Sequence, residues 1–114
     1  MKQWCTIQTT HSAVTKFLLR SLPMINYQLT VSGQVQGVGF RWGCYRLAQQ
    51  YGVSGFVKNL PSGQVYLEVQ GLPDAVTNFI ARVENGPTPY ARVNQVSKHP
   101  LPCQDYGGRF TIRR

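Results

Sequence analysis

From Tyr27 the chain alternates apolar and polar residues, with Tyr27, Leu29 and Val31 set against Gln28, Thr30 and Ser32. That two-residue period predicts a strand with one buried face. The period then changes: Phe40, Cys44, Leu47, Ala48 and Tyr51 recur at i, i+4, i+7, i+8 and i+11, a helical stripe closed by Gly52. Val53 to Lys58 and Val65 to Gln70 flank Leu60-Pro61-Ser62-Gly63 and predict a hairpin, with Val65, Leu67 and Val69 alternating against Tyr66, Glu68 and Gln70. Pro73-Asp74 opens a second helix, Val76, Phe79, Ile80 and Val83 repeat at helical spacing, and Gly86-Pro87 ends it. Ala91 to Lys98 and Arg109 to Ile112 predict two last strands around a loop from Pro100 to Gly108.

The order βαββαβ, with a short strand after it, predicts an α+β fold of the ferredoxin-like α/β sandwich type. Two helices cover one face of a largely antiparallel sheet. That architecture hosts unrelated activities, so function must be argued from a site. At 114 residues the chain is long enough for one domain, assigned to residues 24–114, with residues 1–23 as an N-terminal extension. The extension has no acidic residue, scattered Ser and Thr, and an amphipathic stretch at Val14, Phe17, Leu18 and Leu22 before Pro23. Three readings of it stay open: a start at Met24, an organelle transit peptide, or a helix packing on the domain.

The formal net charge of +8 arises from 12 Lys and Arg against 4 Asp and Glu. Lys2, Lys16 and Arg20 lie in the extension, so residues 24–114 carry nine positive and four negative charges, or +5. Such a field raises encounter rates with any anion and does not choose among them. Cys5, Cys44 and Cys103 are odd in number and lack C-x-x-C spacing. They suggest neither a disulfide framework nor a zinc site, and a cytoplasmic location is expected. No apolar run reaches the roughly 20 residues that span a bilayer, and no secretory signal pattern is present, so no membrane partner is expected.

The chemistry concentrates in Gly33-Gln34-Val35-Gln36-Gly37-Val38-Gly39-Phe40-Arg41, between the first strand and the first helix. Glycines let backbone N–H groups approach an oxyanion, the helix adds its positive end, and an arginine offers a planar fork for phosphate oxygens. The nucleotide motifs do not fit: G-x-x-x-x-G-K-[ST] is absent, and Gly37, Gly39 and Gly43 are spaced G-x-G-x-x-x-G. Eighteen positions after Arg41, Val57-Lys58-Asn59-Leu60-Pro61-Ser62-Gly63 puts an amide side chain at the mouth of the hairpin.

The run V-Q-G-V-G-F-R, followed by G-F-V-K-N-x-x-x-G, the stretch from Gly86 to Val93 and the terminal Phe110-Thr111-Ile112-Arg113, closely resembles the acylphosphatases over about residues 25–114. The resemblance implies hydrolysis of the carboxyl–phosphate bond of small acyl phosphates to carboxylate and inorganic phosphate. It implies that Arg41 clasps the phosphate with help from the backbone of Gln36, Gly37, Val38, Gly39 and Phe40, and that Asn59 orients the attacking water. No metal and no cofactor is expected: His11 and His99 are scattered and the four acids form no ligand-like cluster. Gln34, Ser62 and Pro89-Tyr90 depart from the family pattern and touch neither Arg41 nor Asn59.

The expected partner is a small-molecule acyl phosphate, with no obligate nucleic acid, and a monomer is expected. The competing reading is a non-catalytic anion- or RNA-binding module on the same fold, suggested by the basic balance and by Tyr66 and Phe56. Against it, no segment supplies the aromatic strand run by which this topology reads RNA. A third reading, the related domain of larger carbamoyl-transfer maturation proteins, needs further domains for which 114 residues leave no room.

Overall fold

The computed structural model describes residues 5–6 and 23–114. Its elements are β1 (Cys5–Thr6), β2 (Pro23–Gln34), α1 (Phe40–Tyr51), β3 (Ser54–Asn59), β4 (Val65–Gly71), α2 (Pro73–Glu84), β5 (Arg92–Leu101) and β6 (Phe110–Arg113). The main sheet runs β5-β2-β4-β3-β6, with β3 and β6 parallel and the other neighbours antiparallel. The βαββαβ sandwich expected from the sequence is therefore the observed fold. His11 and the amphipathic stretch of Val14, Phe17, Leu18 and Leu22 lie outside the described residues.

The buried stripes account for this architecture. Leu29 and Val31 of β2, Val57 of β3, and Val65, Leu67 and Val69 of β4 are fully buried on one face. Against them lie Phe40, Cys44, Leu47 and Ala48 of α1 and Val76, Phe79, Ile80 and Val83 of α2. Phe79 meets Phe110 of β6 at a centroid distance of 5.7 Å, carrying the core across to the edge strand. Helix α1 ends as the sequence predicts, on Gly52 in the left-handed conformation with its N–H on the Ala48 carbonyl at 2.9 Å.

Two boundaries differ from the periodicity. β2 starts at Pro23, four residues before the alternation becomes visible, and its first residues pair with β1, Cys5 opposite Met24 and Thr6 opposite Pro23. The long β2 in turn carries β5 past Lys98, with Tyr27 opposite Pro100 and Asn26 opposite Leu101. A proline is tolerated there because β5 has β2 on one side only within the main sheet. β5 is mostly exposed, so its hydrophobic pattern did not mark where it ends.

The opposite face of the sheet is polar and aromatic. Tyr66 and Tyr106 both donate their hydroxyls to the Glu68 carboxylate, and Asn26 donates to the Tyr106 hydroxyl at 2.8 Å and to the Pro102 carbonyl at 3.0 Å. These contacts hold the loop before β6 against the sheet. Burial, reinforced by the hydrogen bond to Glu68, pushes both tyrosine hydroxyls well above their ordinary value. Cys103 in the same loop is disulfide-bonded, which corrects the expectation drawn from an odd cysteine count and removes the support that count lent to a reducing compartment. Cys44 is a free thiol buried on the core stripe, and desolvation pushes its pKa up, as befits packing rather than nucleophilic attack.

Two outcomes follow from this packing. Phe79→Ala should lower unfolding stability by about 3–5 kcal/mol in a urea titration, and a loss under about 1 kcal/mol would deny Phe79 its place in the core. Because Tyr66 and Tyr106 hold their protons more tightly folded than unfolded, their contribution is complete below about pH 10 and lost as pH rises further. The melting temperature should therefore fall on the alkaline side, and less steeply in the Tyr66→Phe, Tyr106→Phe double variant.

Candidate active site

Strands β2 and β3 both run antiparallel to β4 between them, so they run parallel to each other and end at the same side of the sheet. Helix α1 connects them, which brings its N-terminus to that same end. The pleat then decides which side chains face inward. Asn59 pairs with Val65, and Val65 pairs with Val31. Residues directly opposite share a face, and both valines are fully buried under the helices. Asn59, last residue of β3, is therefore turned toward the α1 side, whereas Lys58 points to the opposite face, 5.8 Å from the centre of the Tyr66 ring.

The loop from Val35 to Gly39 joins β2 to α1 with Gly37 at φ 75° and Gly39 at φ 76°, a left-handed geometry that side chains disfavour. Gly39 is the N-cap of α1 and no side chain caps the helix. The N–H groups of its first turn are thus left for another acceptor. No acidic residue occupies that turn, and Arg41 does. A guanidinium there opposes the helix dipole by about 0.3–1 kcal/mol, a conflict that a bound anion would reverse. Arg41 donates from Nη1 to the Arg113 carbonyl on β6 at 3.2 Å, which holds its fork at the end of the sheet.

Arg41, Asn59, Gly37, Gly39 and Phe40 line one cavity of about 220 Å³ together with Val35, Trp42 and Ile112. Asn59 lines this cavity, and its Oδ1 atom is buried with no hydrogen-bond partner. An orphaned buried acceptor costs about 1–3 kcal/mol and calls for an explanation. Trp42 is 57 % exposed at the rim and stacks on Tyr45, with centroids 5.3 Å apart. Among the described residues, no group of three or more His, Cys, Asp or Glu gathers as a metal cluster would.

Two of the expected phosphate-loop residues turn their side chains elsewhere. Gln36 donates from Nε2 to the Leu60 and Gln64 carbonyls, each at 2.8 Å, and so bridges the glycine loop to the hairpin that follows Asn59. Val38 packs its side chain on the core, and its carbonyl accepts from Thr88 Oγ1 at 3.1 Å. Thr88 reaches this loop because position 43 is glycine. A Cβ at Gly43 would lie 2.8 Å from the Thr88 methyl and 2.9 Å from the Pro87 carbonyl oxygen. Thr88, Ile112 and the Arg113 carbonyl escaped the sequence reading, since only the folded topology brings residues 88 and 112–113 beside residue 41. Phe56, named as a base-stacking candidate, is buried on the other face with the Arg113 guanidinium 3.8 Å over its ring.

The sequence model of the acylphosphatase family matches residues 27–112, which include the glycine loop, Arg41 and Asn59. An acylphosphatase from Latilactobacillus sakei subsp. sakei is 47 % identical over 86 residues, covering 75 % of this chain and 92 % of that protein. The crystal structure of acylphosphatase from Bacillus subtilis superposes with a TM-score of 0.74 at 32 % identity, covering 79 % of this chain and 99 % of that one. Full-length HypF in its phosphate- and nucleotide-bound form superposes with a TM-score of 0.71 at 26 % identity, over 80 % of this chain and 12 % of that much longer one. With the match extending over most of the described domain, the chain belongs to the acylphosphatase family of hydrolases.

Proposed function

We propose that this chain hydrolyses the carboxyl–phosphate bond of small acyl phosphates without a metal ion, by direct attack of one water molecule. The observation that carries the reading is that Asn59, whose buried Oδ1 has no hydrogen-bond partner, lines the same cavity as Arg41 and the glycine loop. The N–H groups at the start of α1 and the Arg41 fork take the phosphoryl oxygens, and Asn59 accepts a hydrogen bond from the attacking water. Attack forms the new P–O bond as the bond from phosphorus to the acyl oxygen breaks, and a carboxylate leaves with the bonding pair. An amide does not titrate near neutrality, so the proton of the water passes to a phosphate oxygen of the substrate.

The leaving group makes so sparse a site sufficient. A carboxylate is the base of an acid with pKa near about 4, so its departure needs no general acid. What remains is charge stabilisation on the phosphoryl oxygens and alignment of the water, the two contributions that dominate phosphoryl transfer. The substrate is read as a free small molecule taken up by a monomer without nucleic acid. Base stacking on the open sheet face would have to displace Arg113 from Phe56.

The test is hydrolysis of benzoyl phosphate by the full chain in the presence of EDTA. Wild type should turn over at its chelator-free rate. Arg41→Lys and Asn59→Ala should each lower kcat by about 100-fold to 1,000-fold while keeping the far-UV spectrum, the range seen when a transition-state donor is removed. Lysine would not replace the fork, because an ammonium has no planar bidentate geometry. A folded wild type with no turnover, or an Asn59→Ala variant with full activity, would overturn the mechanism.

A further inference from the structure

We propose that Gln36 is a positioning residue that fixes the distance between the phosphate loop and the water-holding Asn59. This rests on the reading of Asn59 given above. Its basis is the Gln36 bridge. The backbone of Gln36 opens the glycine loop, and both carbonyls that its Nε2 reaches, Leu60 and Gln64 at 2.8 Å each, belong to the hairpin entered directly from Asn59. One amide group supplies two N–H donors, and here both are committed to the hairpin rather than to the cavity. The two halves of the site come from strands that are not neighbours, since β4 separates β2 from β3. Gln36 spans that gap at its open end.

The hairpin does not need Gln36 for its own closure. The Leu60 carbonyl also accepts from the Gly63 N–H at 3.1 Å, and the Gln64 carbonyl from the Leu60 N–H at 2.8 Å. Gln64 is anchored again through its side chain, which donates to Ser32 Oγ at 2.8 Å and accepts from Ser62 Oγ at 2.9 Å. On the other side, the glycine loop keeps its tie to Thr88. Removing the Gln36 donors therefore leaves both halves formed and, although Gln64 still ties the hairpin to Ser32 on β2, frees the glycine loop itself from the hairpin. A misplacement of about 1 Å between a bound reactant and its partner costs on the order of 100-fold in rate, whereas phosphate binding uses one half alone.

A double-mutant cycle on the full chain tests this. Gln36→Met keeps the length and removes the donors. It should lower kcat for benzoyl phosphate by about 10-fold to 100-fold and leave the Kd of inorganic phosphate within about twofold. Added to Asn59→Ala it should lower kcat by less than about twofold further, because residues acting through one another are not additive. Gln36→Lys, which keeps a donor for the same carbonyls, should retain more activity than Gln36→Met and serves if the latter fails to fold. Multiplicative losses in the cycle, a weakening of phosphate binding in step with kcat, an unchanged kcat, or a Lys variant as impaired as the Met variant would each overturn the role of Gln36. An Asn59→Ala variant with full activity would instead overturn the water-positioning reading, and this inference with it.

Discussion

The pairing of β4 between β2 and β3 is the constraint on which everything else depends. Val65, fully buried, sits opposite Val31 on one side and Asn59 on the other. Because opposite residues share a face of the pleat, burying the two valines also turns Asn59 toward α1. A slip of one residue in that register would send Asn59 to the open face and Lys58 into the site. The core that stabilises the domain and the geometry of the candidate site are thus set by the same row of contacts. Burial fixes the register far more firmly than any polar contact in the site could.

A second consequence is electrostatic. Helix α1 begins without a capping side chain and without an acid in its first turn, with Arg41 where the dipole disfavours it. Contacts elsewhere hold this arrangement in place: Thr88 on the Val38 carbonyl, the Arg113 carbonyl on Arg41, and Gln36 across to the hairpin. Each comes from a different part of the chain. The proposed anion site is therefore held by contacts within the protein, and such preorganisation would spare the proposed reaction the cost of reorienting dipoles as charge shifts.

Much of this was legible in the sequence because the relevant signals are local. Helix α1 and its Gly52 cap, the hairpin and helix α2 each declare themselves by a period and a turn residue. Arg41 and Asn59 stand out as an arginine in a glycine loop and an amide at a hairpin mouth. The rest was hidden for physical reasons. β5 is an exposed edge strand, so its hydrophobic pattern says nothing of its reach to Leu101. Thr88, Ile112 and the Arg113 carbonyl enter the site only through tertiary proximity, and the commitment of the Gln36 side chain to the hairpin cannot be seen from a loop that reads as a backbone cradle. The disulfide of Cys103 was masked by the odd cysteine count, since pairing is decided by proximity in space.

In the proposed reaction the cavity holds the phosphoryl group and aims water at phosphorus. The most direct measurement is hydrolysis of benzoyl phosphate in water enriched in oxygen-18, with both products analysed by mass spectrometry. Attack at phosphorus predicts one heavy oxygen in the inorganic phosphate and none in the benzoate. Label in the benzoate would mean that water attacks the acyl carbon, contradicting the assignment of the cavity as a phosphoryl-transfer site.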